Sequence, residues 1–306
     1  MEKQQLGKSD IYISRLTLGC MSLGTDRKHA KEIIDTALDR GINHLDTADL
    51  YDFGLNEEII GEAIKDKRKD IILTTKAGNH FSKESKNWFW DPSKEYITEA
   101  VKNSLKRLKT DYIDFFMLHG GTINDPMDDT IEAMEELKQA GWIRAYGISS
   151  IRPNVIQKYI EKSSIDGVMM QYSLLDRRPE EEILEKLIAH NISVITRGSL
   201  AKGLLSVNYK ENFIKKGEEG FLDYTGPELM NTLENIAEAS EGIPLNEIAI
   251  KYVIKHPATT SVTIGASKRE QVLENTRPDF TNGLPDTVYE KLKQITKSNV
   301  YKEHRS

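Results

Sequence analysis

The feature that most constrains this chain is a recurrence. From Leu16 onward, a short apolar run followed by a longer amphipathic helix pattern appears about eight times. The runs read as strands at 15–19, 42–45, 71–75, 112–118, 143–148, 167–170, 192–196 and 261–264. Helix patterns follow them, expected over 29–40, 57–65, 93–108, 127–140, 153–162, 179–190, 228–241 and 268–276. Apolar strands alternating with amphipathic helices build a parallel sheet covered by helices. Eight such units in 306 residues favour an α/β fold closed as a (β/α)8 TIM barrel over an open doubly wound sheet. Residues 3–15 alternate around Gly7-Lys8-Ser9-Asp10 and predict an N-terminal β-hairpin. The stretch from Leu284 adds an extra C-terminal helix. No Gly/Ser- or Pro-rich linker interrupts the pattern, so residues 1–306 are expected to form a single domain.

Composition narrows the partners. A formal net charge of −6 disfavours nucleic acid and anionic membrane. One cysteine, Cys20, excludes an intrachain disulfide and fits a reducing compartment. No apolar run reaches the length of a membrane span or of a signal peptide's core, so a cytoplasmic location is expected.

Two loops exceed what a barrel needs. Residues 77–92 follow the third strand and carry Trp88, Phe89 and Trp90; residues 198–226 follow the seventh. Both lie on the face where barrel enzymes place their sites, and long loops in a compact domain are commonly functional. Trp88 and Trp90 are candidates for an apolar substrate wall.

The strand ends carry the chemistry. Asp46 closes the second apolar run with Tyr51 shortly after, Lys76 closes the third and His119 the fourth. An acid, a phenol, an ammonium and an imidazole thus converge on one barrel mouth. A lysine placed directly after an apolar strand needs a counter-ion, and Asp46 is on the neighbouring strand. Phenols titrate near ~10 and are poor acids at neutral pH unless the anion is stabilised. An ammonium beside the phenol supplies that, a carboxylate holds the ammonium, and the imidazole can orient a carbonyl. The set reads as a proton-donating pocket for a carbonyl becoming an alkoxide. The scattered histidines offer no metal-ligand spacing, so no metal is expected, and no G-x-S-x-G supports a serine hydrolase.

A proton donor needs a source of an electron pair. No G-x-G-x-x-G follows a strand, so a Rossmann site is not supported. After the eighth run, Gly265-Ala266-Ser267-Lys268-Arg269-Glu270-Gln271 opens a helix, where free backbone N–H groups and nearby cations suit a phosphate.

At this point the chain closely resembles the aldo-keto reductases, on the strings LGCMSLG, GINHLDTADLY, LTTKAG, DYIDFFMLHGG, IRAYGISS, RGSLAKGLL and IGASKREQVLEN, which match in order and spacing. The resemblance implies a cytosolic, NADPH-dependent barrel that reduces aldehydes and ketones, with NADPH favoured over NADH. It implies Tyr51 as the acid, Lys76 and Asp46 as its tuning pair, and His119 orienting the carbonyl. It also implies Gly19 and Met21 beside the cofactor's reactive end, Ser149 at the carboxamide, and Tyr172 stacked on the nicotinamide; Gln171 or a backbone group is the candidate substitute for the family's carboxamide-binding Gln. Pyrophosphate contacts are implied for Ser199, Leu200, Lys202, Gly203 and Leu204. Ser267, Lys268 and Gln271 are implied at the 2′-phosphate, beside the cofactor-binding Gly265 of the helix start, and Glu274 and Asn275 at the adenine. Three positions depart from the family pattern: Ser150 stands where many members have Asn, Met169 where many have Gln, and Gln271 where many have Arg. Two rivals compete. A cofactor-sensing accessory barrel with little turnover is disfavoured because all four chemical residues are present. A lyase or isomerase working through a Lys76 Schiff base is the other.

Overall fold

The computed structural model describes residues 1–305. Eight parallel strands close into a barrel: β1 (Leu16–Gly19), β2 (His44–Asp46), β3 (Ile72–Ala77), β4 (Ile113–Leu118), β5 (Ile143–Ser149), β6 (Gly167–Gln171), β7 (Ser193–Arg197) and β8 (Thr259–Gly265). The expected barrel is present, and every expected strand run falls on one of these strands. Outward side chains of the strands, among them Leu18, Leu45, Leu73, Phe116, Ile148 and Val262, pack with the surrounding helices into one continuous core. The N-terminal hairpin, Lys3–Gln5 with Tyr12–Ser14, sends Leu6, Ile11 and Ile13 into the barrel beside Phe115, Met117, Ala145, Met169 and Ile195. It plugs the end opposite the site: the Gly7 N–H donates to Ser193 Oγ at the start of β7. No described helix is long and apolar enough to cross a membrane.

Several expected elements are corrected. The 77–92 loop is a second hairpin, Asn79–Phe81 paired with Trp88–Trp90. The 198–226 loop contains a 3-10 turn, Ala201–Gly203, and a helix, Tyr209–Lys216. The helix expected over 179–190 is broken at Glu182 into a 3-10 turn, Arg178–Glu181, and a helix, Ile183–Ala189. Between β7 and β8 two further helices occur, Gly226–Ala239 and Leu245–Lys255, where the sequence suggested one at 228–241. The final helix is Asp286–Ile295.

Below the mouth, the barrel interior holds a polar layer instead of aliphatic side chains. Ser261 Oγ donates to the Ser14 carbonyl (2.8 Å), so its one proton is committed. Thr17 Oγ1, 2.7 Å from Ser261 Oγ, must then donate to it. His44 Nδ1, 2.7 Å from Thr17 Oγ1, is left to donate, and Nε2 accepts from Thr74 Oγ1 at 2.6 Å. This chain runs in one direction and requires a neutral, Nδ1-protonated imidazole. Burial, reinforced by Lys76, pushes His44 down to about 3, in agreement. Replacing His44 with Phe leaves the hydroxyls of Thr17 and Thr74 short of a buried partner. Urea unfolding of His44→Phe should show a loss of about 2 kcal/mol or more; stability within 0.5 kcal/mol of wild type, roughly the scatter of neutral surface changes, would contradict the hydrogen-bonded chain.

Candidate active site

Strand parity explains why the four candidate residues meet. Side chains alternate along a strand, and Ile72 borders the interior cluster. Thr74 and Lys76 therefore point inward, as do His44 and Asp46 on β2. Asp46 and Lys76 lie at the upper end of this interior, one step above the polar layer. The Lys76 ammonium is 2.8 and 3.0 Å from the two Asp46 oxygens and donates to the Thr47 carbonyl at 2.7 Å. It reaches Tyr51 Oη at 3.5 Å and sits 5.1 Å from that ring's centroid. The Tyr51 and His119 rings meet edge to face, 5.9 Å apart. The backbone delivers Tyr51 through an unusual turn: Asp52 (φ 48°) and Phe53 (φ 52°) are both left-handed, before Gly54. Such geometry costs energy in non-glycine residues and persists only where surrounding contacts impose it. Here Phe53 is held against Phe81 of the second hairpin (6.0 Å).

Electrostatics follow from burial. Lys76 is 1% exposed; burial pushes its ammonium down, but Asp46 and Tyr51 more than offset this and hold it above its ordinary value. His119 is pushed down to about 3, first by burial and then by Lys76 and Arg197, so the imidazole is neutral. Its Nδ1 is buried without a partner among the described residues. The result is a charged ammonium, a phenol and a neutral imidazole around one space.

The second hairpin walls that space. Asn79 Nδ2 reaches the His119 carbonyl (3.5 Å), and the Trp90 ring covers Gly78 and Gly120, where added Cβ atoms would approach it to 2.8 and 3.1 Å. Trp90 Nε1 is anchored on Asp125 at 3.0 Å. Trp88, two residues away, shares this face of the hairpin and is 55% exposed. Phe89 points the other way, stacked on His80. The hairpin is tied to the Tyr51 loop by Tyr96, whose hydroxyl is 2.9 Å from the Asn79 carbonyl and 3.2 Å from Asp49 Oδ2. One phenolic proton cannot serve two acceptors. With it committed to the carbonyl, Asp49 must be the donor in the second bond and hence be protonated. Burial, then the neighbouring Glu57, pushes Asp49 up to about 8, against the opposing Arg107.

The opposite half of the mouth is more open. Gly19 and Gly265 are register partners on β1 and β8, and a Cβ on Gly265 would meet nothing nearer than 3.9 Å. Met21 is 63% exposed on the rim above β1. Met169 is interior, so Gln171 two residues on also points inward, as does Ser149 opposite Met169. Tyr172 is a correction: it is fully buried, its ring beside Tyr252 and its hydroxyl bonded to Glu180, so it offers no face to a nicotinamide. Its parity points it outward, into the helix layer. In the β7 loop, Lys202 is exposed and Leu200 and Gly203 are half-buried. Leu204 is wholly in the core, and Ser199 Oγ is bonded to the Tyr172 carbonyl and Thr196.

At the β8 helix, Arg269–Asn275, the backbone amides of Ser267 and Lys268 are not free: Gln271 Oε1 accepts from both, at 2.8 and 3.2 Å. Arg269 is turned away onto Thr36, and Lys268 is exposed. Asn275 is buried on Asn246, while Glu274 is half-exposed.

With this geometry in place, comparison with known proteins is decisive. The model of the aldo/keto reductase family matches residues 15–297. The chain belongs to that family. It is 52% identical to the uncharacterized oxidoreductase YqkF of Bacillus subtilis, over 100% of both chains. The holo form of aldo-keto reductase AKR11C1 from Bacillus halodurans superposes with a TM-score of 0.94 at 49% identity, covering 100% of both. An Escherichia coli protein named NADH-specific methylglyoxal reductase is 30% identical over 90% of this chain and 92% of its own. This aldo-keto reductase is accordingly an NAD(P)H-dependent oxidoreductase acting on small carbonyl compounds.

The sequence reading missed two residues of this aldo-keto reductase's mouth. Arg197 ends β7, one residue beyond the expected strand, and its parity with interior Ile195 turns it inward. Asp49 was hidden because only its fold neighbours, Tyr96 and Glu57, reveal its state. That state has a pH signature. The unfolded carboxyl ionises near ~4, but the folded one holds its proton to about pH 8. The folded protein binds the extra proton in between, so the Asp49 contribution is full below ~4 and is lost as pH rises to 8. Asp49→Asn removes it. Urea unfolding from pH 5 to 8 should favour the variant progressively over wild type, by on the order of 1 kcal/mol per pH unit. A pH-independent difference is inconsistent with a protonated Asp49.

Proposed function

We propose that the protein reduces aldehydes and ketones to alcohols with NADPH, and that Tyr51 is the general acid. The observation that carries this reading is the ammonium of Lys76, buried on Asp46 and 3.5 Å from Tyr51 Oη. When bound, the nicotinamide cofactor supplies the hydride that adds to the carbonyl carbon. As the C=O π electrons move to oxygen, Tyr51 gives its proton to that oxygen. The phenolate left behind is stabilised by Lys76, which Asp46 and the Thr47 carbonyl hold in place. His119, neutral at physiological pH, orients the carbonyl without adding a competing charge. Trp90 and Trp88 form the apolar side of the substrate site, and excluding water there strengthens each electrostatic contact.

The residues present fit the cofactor. Inward Ser149 and Gln171 supply hydroxyl and amide groups for the carboxamide, a role that suits Gln171 because Met169 is confined to the core. Gly265 leaves room at the mouth beside Gly19, whose missing Cβ space is taken by Thr263, with Met21 on the rim. Leu200, Lys202 and Gly203 are placed for the pyrophosphate, with Lys202 as the cation. Ser267 and exposed Lys268 supply a hydroxyl and a charge for a 2′-phosphate, which favours NADPH over NADH; Gln271 must first release the two amides it caps.

Removing the acid while keeping the ring tests the reading. In Tyr51→Phe, NADPH oxidation with a reactive aldehyde should fall by about 10²–10⁴-fold, with NADPH binding retained by fluorescence titration. Activity within a few-fold of wild type would remove Tyr51 from the role.

A further inference from the structure

The single phenolic proton of Tyr96 sits at a branch point. Tyr96 stands in the first turn of the helix Lys94–Leu108, where Ser93 Oγ accepts from its backbone N–H. Its hydroxyl lies between acceptors on two different elements: the Asn79 carbonyl of the second hairpin at 2.9 Å, and Asp49 Oδ2 of the Tyr51 loop at 3.2 Å. Asn79 is the register partner of Trp90, and its side chain reaches the His119 carbonyl. The phenol therefore grips the rung of the hairpin that carries Trp90 and that touches the end of β4. On the next rung, His80 stacks on the Tyr96 ring at 4.3 Å and is held at Nδ1 by Asp91.

The state of Asp49 decides which acceptor that proton serves, and its surroundings make an anion costly. Oδ1 is buried with no hydrogen-bond partner among the described residues. From the helix Leu55–Ala63, Glu57 faces it with both oxygens accepting, from Thr75 Oγ1 and from Arg107 Nε, each at 2.6 Å. Arg107, on the helix of Tyr96, is the opposing cation, and its Nε is committed to Glu57. From β3, the Lys76 carbonyl accepts from the Asp49 N–H at 3.0 Å, while the Lys76 ammonium is committed to Asp46. Asp91 acts on the Tyr96 hydroxyl from the hairpin side.

A neutral Asp49 donates to Tyr96 Oη and leaves the phenolic proton on Asn79. An ionised Asp49 can only accept, and a phenol bonds a carboxylate more strongly than a neutral carbonyl. The phenolic proton then turns to Asp49, and the Asn79 carbonyl loses its donor. Tyr96 itself stays a phenol, because burial first and Asp49 next push it up. The changeover belongs at about 8, where burial and then Glu57 place the Asp49 carboxyl.

Resting on the reading that Trp90 walls the substrate site, we propose that Tyr96 and Asp49 are positioning residues for the substrate. A proton on Asp49 keeps the Tyr96 hydroxyl on Asn79 and the Trp90 wall in place; its loss releases that wall.

The test compares kcat/KM for benzaldehyde and propanal with NADPH from pH 6 to 9, because their ratio cancels the pH dependence of the shared proton transfer. In wild type the benzaldehyde-to-propanal ratio should fall by about 5–10-fold above pH 7, the weight of one hydrogen bond. The loss should sit in the KM for benzaldehyde. Asp49→Asn, whose amide N–H donates to Tyr96 Oη at every pH, should hold the pH 6 ratio throughout. Tyr96→Phe, which keeps the stacking on His80, should give the low ratio at every pH. Deuterium uptake of residues 79–90 reads the same event without turnover: at pH 8.5 it should be faster in wild type than in Asp49→Asn, and equal at pH 6. A wild-type ratio that does not change with pH overturns the proposal, as does a fall of the same size in Asp49→Asn. If neither aldehyde is reduced but uptake differs as stated, the reductase reading fails and the proton-controlled tether stands. If uptake at pH 8.5 is the same in both proteins, the tether fails whatever the turnover.

Discussion

Everything at this barrel mouth depends on a charge that has been removed from water. Lys76 is nearly inaccessible, and an isolated ammonium there would shed its proton. Both Asp46 oxygens and the Thr47 carbonyl prevent this. Pairs of this kind seldom add net stability, because desolvation consumes most of the attraction. The pair is better understood by what it does at its open end, where the ammonium meets Tyr51. The layer beneath is consistent with that purpose. His44, Thr17, Thr74 and Ser261 are polar yet uncharged, hydrogen-bonded to one another and to the Ser14 carbonyl, so this layer adds no second charge to compete with the pair.

The mouth divides into two walls. Strands β2 to β4 bring the acid, its ammonium and the imidazole, and the second hairpin is fastened to them through Trp90 on two glycines and through the Asp49–Tyr96–Asn79 link. Strands β5 to β7 bring Ser149, Gln171 and Arg197, and Gly265 on β8 stands beside Gly19 on β1. The first wall is tightly cross-linked, with His119 Nδ1 left without a partner among the described residues. The second keeps unpaired donors, as a surface that must accept a ligand requires.

How much of this was legible in the sequence depended on whether a residue's role follows from its own strand. Asp46, Lys76 and His119 were readable because a polar group ending an apolar run is conspicuous, and the eight-fold recurrence fixes where such ends meet. Arg197 carries the same signal, but the apolar run itself ends at Thr196, one residue short of it. Tyr172 was misplaced for the converse reason: it follows a strand, yet its parity turns it outward onto Tyr252, in a helix that the pattern did not reveal. At the β8 helix, Gly-Ala-Ser correctly suggested a helix start, but nothing in the string says that Gln271 folds back to cap it. Asp49 has no local signature, since its protonation is set by Tyr96 and Glu57 from elsewhere in the chain.

The central claim is that the buried pair exists to assist the phenol. It is tested most directly by removing both charges together in Asp46→Asn/Lys76→Met, which spares the fold an unpaired buried ion. The measurement is the single-turnover rate of NADPH oxidation by a saturating reactive aldehyde. A rate at least about 100-fold below wild type, in a variant as stable as wild type and still binding NADPH, is the result this account predicts. Hydride transfer at an undiminished rate in that folded, cofactor-binding variant would contradict it.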